Sequence, residues 1–243
     1  MGQNFVNQLY GTFDSYTWAY ILVVIAFIAS LIAQARVKYV YSRFDRVASQ
    51  RGLTAEQAAR AVLDYYQVYD VTVRPIAGKL TDNYNPRNKQ ISLSESTYGH
   101  SSIAAIGVAC HEAGHAAQHA TGYVPIKIRN AIIPVCNFGS RFGIPLALVG
   151  MFVPNHTGTS LILAGLALYA FVALFQFATL PVELNASRRA LKVIGETGLL
   201  DGREKSGARE VLIAAAMTYV VAVAASLADL FRMIILFLGN RRE

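Results

Sequence analysis

The chain has 243 residues, of which 54% are hydrophobic and 15% charged, with a formal net charge of +7. That composition is too apolar for an ordinary soluble enzyme and indicates a membrane protein of one large or two small domains. The positive balance does not indicate a nucleic-acid binder, because Lys and Arg are spread along the chain without a compact cluster, which membrane topology explains more simply.

Residues 16–35 (YTWAYILVVIAFIASLIAQA) carry no charge and have about the length of a bilayer crossing. No basic region precedes them and basic residues follow, so they are expected to be a retained anchor and not a cleaved signal peptide. Arg36, Lys38, Arg43 and Arg46 come next, whereas the first fifteen residues contain only Asp14 as a charged side chain. The positive-inside rule therefore places the amino terminus outside and the following portion, residues 36–130, in the cytoplasm.

That portion begins as a basic helical extension. Thr54 and Gln57 then form a capping box, and Ala58, Ala59, Val62, Leu63 and Tyr66 give the next helix an apolar face. Val71, Val73 and Pro75 alternate with Thr72 and Arg74, a short strand that Pro75 is expected to end. Residues 81–89 (TDNYNPRNK) have turn chemistry, and residues 90–94 (QISLS) read as the second strand of a hairpin. An exposed edge on that strand could hold an extended peptide by main-chain hydrogen bonds.

His111-Glu112-Ala113-Gly114-His115 follows, the HExxH signature of zinc hydrolases. On a helix turning about 100° per residue, His111 and His115 share one face, one turn apart, where both can reach the same ion. Glu112 lies beside the metal and off the ligand axis, where a general base for an activated water belongs. The apolar run 103–110 before the motif and Ala116, Ala117 and Gln118 after it favour a helix.

Residues 131–153, apolar except for Arg141, and the uncharged residues 160–182 are expected to form a transmembrane hairpin over 131–182. Lys127 and Arg129 before it, Arg188, Arg189 and Lys192 after it, and a connecting stretch (154–159) without Lys or Arg keep both ends inside. Residues 183–210 return to polar sequence. The last apolar segment, 211–239, is long and interrupted by Asp229 and Arg232. It is expected to start against the soluble portion and end in lipid, and if it crosses, Arg241 and Arg242 end outside.

A catalytic zinc commonly has three protein ligands and an open position. His119 lies at the edge of the His111/His115 face, but three ligands on one straight helix fit a tetrahedron poorly, so it is read as a supporting or structural residue. Asp201, in Leu200-Asp201-Gly202, resembles the LDG motif of intramembrane site-2-type proteases, yet Arg203, Glu204 and Lys205 make it look like a helix start. Glu183, at the inner end of the third apolar segment, is preferred: a carboxylate there must reach water, pair or bind a cation. Pairing with Arg188 or Arg189 is its alternative. Tyr219, His100, Arg188 and Arg189 are candidates to stabilise an oxyanion, and Cys110 and Cys136 are expected to be reduced thiols.

Three stretches, HEAGHAAQHATGY, the upstream TDNYNPRNKQISLSE and the downstream LPVELNASRRALKV, resemble in sequence and order the bacterial membrane-bound neutral zinc metallopeptidases of the YugP type. The resemblance covers nearly the whole chain. It implies a zinc site of His111, His115 and Glu183, with Glu112 as the catalytic carboxylate. It also implies kinship with the heat-shock membrane protease HtpX and the CAAX prenyl proteases, whose third-ligand helix carries a Glu followed by an Ala-Asp pair. Ala186 matches that pair, whereas Ser187 stands where those relatives have Asp.

The expected molecule is a mainly α multi-pass protein of the bacterial inner membrane. Three to four transmembrane helices carry a cytoplasmic, helix-rich, zincin-like portion with a small β-hairpin. It is expected to hydrolyse peptide bonds in protein or peptide substrates at the lipid bilayer's inner face, with zinc as cofactor. The alternatives are an intramembrane protease using Asp201 and a noncatalytic zinc-containing scaffold.

Overall fold

The computed structural model describes residues 15–240. Asp14, Arg241 and Arg242, on which the expected orientation of the two ends draws, lie outside the described residues. The elements are α1 (Ser15–Asp45), α2 (Ala55–Tyr65), β1 (Thr72–Ile76), β2 (Asn83–Asn85), β3 (Gln90–Ser94), α3 (Ile103–Ala120), α4 (Val124–Phe152), α5 (Asn155–Glu196) and α6 (Gly202–Asn240). They form two compact units. One comprises the chain up to Ile32, Arg129–Ala178 and the chain from Val220; the other comprises Ala33–Ile128 and Thr179–Tyr219.

α1, α4, α5 and α6, which build the first unit with part of their length, are each long and apolar enough to cross a membrane, so this membrane protein has four candidate spans among the described residues. Ile25, Phe27 and Leu31 of α1 and Phe138 and Leu148 of α4 are exposed, as surfaces facing lipid are. Lipid gives helices no hydrophobic reason to associate, so close backbone approach at small residues carries the packing. Gly139 of α4 faces the Leu168 carbonyl of α5, and a Cβ on Gly165 would stand 2.5 Å from the carbonyl oxygen of Gly143. Asp229 and Arg232, the charges that interrupt the fourth apolar segment, pair with each other at 2.8 Å on α6. The Tyr169 hydroxyl donates to Asp229 at 3.2 Å, and the Arg232 guanidinium lies over the Tyr20 ring.

The second unit surrounds a conventional core that includes Val62, Leu63, Ile91, Leu93, Ile106, Val193 and Ile194. Each fully buried aliphatic side chain there contributes about 1.5–3 kcal/mol. The expected capping box starts α2: the Gln57 amide donates to Thr54 Oγ1 at 3.3 Å, and the Thr54 amide donates to Gln57 Oε1 at 2.9 Å. Ser102 caps α3 by accepting from the Ala105 amide, and its hydroxyl donates to Asp45 at the end of α1.

The sheet differs from expectation in its pairing. Its order is β1-β3-β2: β1 runs parallel to β3, and β2 and β3 form the antiparallel hairpin. The stretch read as a turn contributes β2, with Tyr84 packed against the core and the actual turn at residues 86–89, while the chain reverses between β1 and β2 over residues 77–82. Pro75 does not end β1, which continues to Ile76, because an edge strand can spare an N–H. β3 is central, with neighbours on both sides, so the strand just before the metal helix offers no free edge.

Candidate metal centre

The site lies wholly in the second unit, where α3 packs against the part of α5 that follows Thr179. At the crossing, Gly114 sits against the α5 backbone: a Cβ there would come within 2.6 Å of the Ala186 carbonyl oxygen. The glycine in HEAGH therefore lets the two helices approach closely enough for side chains of both to share an ion. Pro181, inside α5, lacks an amide N–H to donate to the helix, two residues before Glu183.

His111, His115 and Glu183 converge, with their ligand atoms all within 4.8 Å of one another. Glu183 Oε2 is 3.2 Å from His111 Nε2 and 3.4 Å from His115 Nε2. Ligands held at about 2.0–2.1 Å from a tetrahedral zinc are about 3.3–3.4 Å apart, so the donor set fits zinc in both type and spacing. Glu183 is only 5% exposed. The expected alternative for it, pairing with arginine, is not where Arg189 is committed: Arg189 Nε donates to Asn185 Oδ1, and its guanidinium lies over Tyr66 and Tyr123.

Each imidazole is oriented through its other nitrogen. His115 Nδ1 is 3.0 Å from Gln118 Oε1, and the Gln118 amide nitrogen donates to the Val182 carbonyl at 2.7 Å and to Asn185 Oδ1 at 3.0 Å. A carbonyl oxygen can only accept, so His115 Nδ1 carries the hydrogen and Nε2 keeps its lone pair for a metal. His111 Nδ1 is 3.0 Å from the Ser187 hydroxyl. The group beside this nitrogen is thus a hydroxyl and not a carboxylate. Sequence reasoning missed Gln118 and read it only as a helix former. The available signal was a polar side chain three residues after His115, set among alanines.

Glu112 is partly buried beside the two histidines. Burial raises its carboxyl above the ordinary carboxylate range; the imidazoles of His111 and His115 oppose this, and the charges of Glu183 and Asp82 reinforce it. A carboxylate with raised proton affinity is suited to accepting a proton. It lines a cavity of about 200 Å³ together with His111, Glu183, Asp82 and Tyr219. Of the four oxyanion candidates, Tyr219 lines this cavity; His100 and Arg188 are exposed elsewhere, and Arg189 is held as described.

His119 points to the sheet, its ring centroid 5.7 Å from that of Tyr84. Asp201 is exposed and caps α6, accepting from the Arg203 and Glu204 amides while its own amide donates to Glu204. Neither belongs to the cluster of metal-ligating groups found among the described residues. Cys110 and Cys136 are buried free thiols.

The profile of the family described as "Putative neutral zinc metallopeptidase" matches residues 19–238. The chain is also 41% identical over 222 residues to the "Putative membrane protease YugP" of Bacillus subtilis (strain 168), covering 91% of this chain and 97% of that relative. No solved structure is significantly similar to it.

Proposed function

For a chain that belongs to the neutral zinc metallopeptidase family, we propose a membrane-anchored endopeptidase that hydrolyses peptide bonds at the cytoplasmic face, with His111, His115 and Glu183 as its zinc ligands. The observation that carries this reading is the convergence of three ligand atoms from two helices at zinc-like spacing, with Glu112 and an open cavity beside them. A structural zinc site is normally closed by four Cys or His ligands, which favours the peptidase over the scaffold.

Bound zinc supplies Lewis acidity, which lowers the pKa of water to about 7 and draws charge from a carbonyl oxygen. Glu112 takes the proton from the attacking water and returns it to the leaving amine, while Tyr219 donates to the developing oxyanion. Ser187 and Gln118 hold the imidazoles so that Nε2 of each faces the Glu183 carboxylate, where the three groups would hold zinc. The cytoplasmic assignment rests on the basic residues flanking the first three apolar segments.

Metal analysis with a casein cleavage assay tests the chemistry. Glu112→Gln is expected to keep zinc and lose cleavage; retained cleavage removes Glu112 from the mechanism. Glu183→Ala is expected to lose zinc and Asp201→Ala to keep it, and the reverse result favours the intramembrane alternative. A single cysteine introduced at Asn88, in the turn at 86–89, is expected to react with an impermeant maleimide in inverted vesicles and not in intact cells. The opposite pattern overturns the orientation.

A further inference from the structure

Beyond the metal centre, the cavity has walls that the peptidase reading does not use. They come from three helices at regular helical spacing: Val37 and Tyr41 from α1, Val108 from α3 one turn before the HExxH pair, and Leu212, Ala215 and Ala216 from α6. The residues that α1 and α6 contribute are apolar apart from the hydroxyls of Tyr41 and Tyr219, and no charged group of either helix lines the cavity. Tyr41 is turned away from hydrogen bonding to a ligand, since its hydroxyl donates to the Ser96 carbonyl at 3.2 Å. Ala215 and Ala216 are the smallest residues in this wall. They keep open a volume that larger side chains on the same α6 face would fill.

An apolar recess beside a hydrolytic centre selects by what it can desolvate: an aliphatic or aromatic side chain gains from entering, and a charged one loses its hydration. We propose that this recess is the specificity pocket of the enzyme and that it receives a large apolar side chain next to the scissile bond. Substrates are then polypeptides cleaved at apolar sequence. The inference rests on the peptidase reading above and deepens it by naming the substrate class. Ala216, which is buried, and Ala215, which is half-buried, determine the size of side chain admitted. α1 and α6 are both candidate membrane spans whose inner portions form this wall, so the pocket is built from the segments that continue into the apolar unit.

The test uses the full-length zinc-loaded protein in detergent and a set of quenched fluorescent peptides. The peptides are identical except for Ala, Leu, Phe or Asp at the residues flanking the scissile bond. Wild type is expected to cleave a Leu or Phe peptide with kcat/KM at least about tenfold above the Ala peptide, with the Asp peptide slowest. Ala216→Phe is expected to lower the ratio of its rates on Leu and Phe peptides to its rate on the Ala peptide by about tenfold, with zinc content kept; Ala215→Leu, a milder filling, should shift the preference from Phe toward Ala. An unchanged preference profile in both variants, with zinc and folding intact, overturns the pocket assignment and leaves the peptidase reading standing. Equal cleavage of all peptides by wild type overturns it too, as would be the case for a recess filled by a lipid chain. Retained cleavage by Glu112→Gln defeats the underlying mechanism instead, so the two failures are distinct.

Discussion

Gly114 of α3 rests on the backbone of Ala186 of α5, where a Cβ would stand 2.6 Å from the Ala186 carbonyl oxygen. The contact sets the distance between the helix bearing His111 and His115 and the helix bearing Glu183. Gly114→Ala gains helix propensity at its own position and yet must push the helices apart. We expect a net loss of about 1–3 kcal/mol of stability, with weaker zinc retention. Thermal unfolding in detergent and metal content after dialysis measure the two effects, and unchanged zinc content would show that the crossing tolerates a shift.

Gln118 is fully buried and joins His115 to α5 through the Val182 carbonyl and Asn185. Gln118→Leu fills similar space but removes the acceptor that sets the His115 tautomer and leaves the Val182 carbonyl without its donor. Zinc affinity is expected to fall about 10–100-fold. Competition with a chromophoric chelator gives that number directly. Affinity within twofold of wild type would mean that packing alone orients His115.

Burial pushes the Cys110 thiol up to about 12. The thiolate is the reactive form, and a raised value keeps it scarce at neutral pH. In the native protein, maleimide labelling of Cys110 at pH 8 should be slower than in the denatured chain by on the order of a thousandfold from thiolate scarcity alone. The rate should rise through pH 8–9 in the denatured chain and stay low over the same interval in the native one. Peptide mass spectrometry after timed quenching follows it, and fast native labelling would show that the α3 core opens readily.

Asp229 and Arg232 neutralise each other within an apolar helix. Asp229→Leu leaves the guanidinium of a partly buried pair without its counter-charge and is expected to cost about 2.5–3.5 kcal/mol, as for an uncompensated charge in a membrane helix. Adding Arg232→Leu should recover most of that loss, because a matched apolar pair avoids both desolvation penalties. Unfolding temperatures of the single and double variants in detergent decide it: a double variant no better than the single one would show that Tyr169 and Tyr20 depend on the charges.

Much of this protein was legible along the chain. The apolar spans, the Thr54 capping box and the paired histidines are local patterns, governed by hydropathy and by the helical repeat, so neighbouring residues suffice to reveal them. The sheet was less legible. Asn83–Asn85 has turn composition and becomes a strand only because β3 offers an edge on that side, where the Asp82 carboxylate accepts from both the amide and the hydroxyl of Ser94.

The sequence by itself determined that the chain enters a membrane, that His111 and His115 share one helix face, and that a carboxylate stands next to the first of them. Only the tertiary structure decided which distant groups complete the set. Glu183 and Ser187 lie far along the chain from His111, and no local rule relates them. Their meeting follows from the close crossing of α3 and α5 at Gly114, a contact between backbones that fixes side-chain positions at long range.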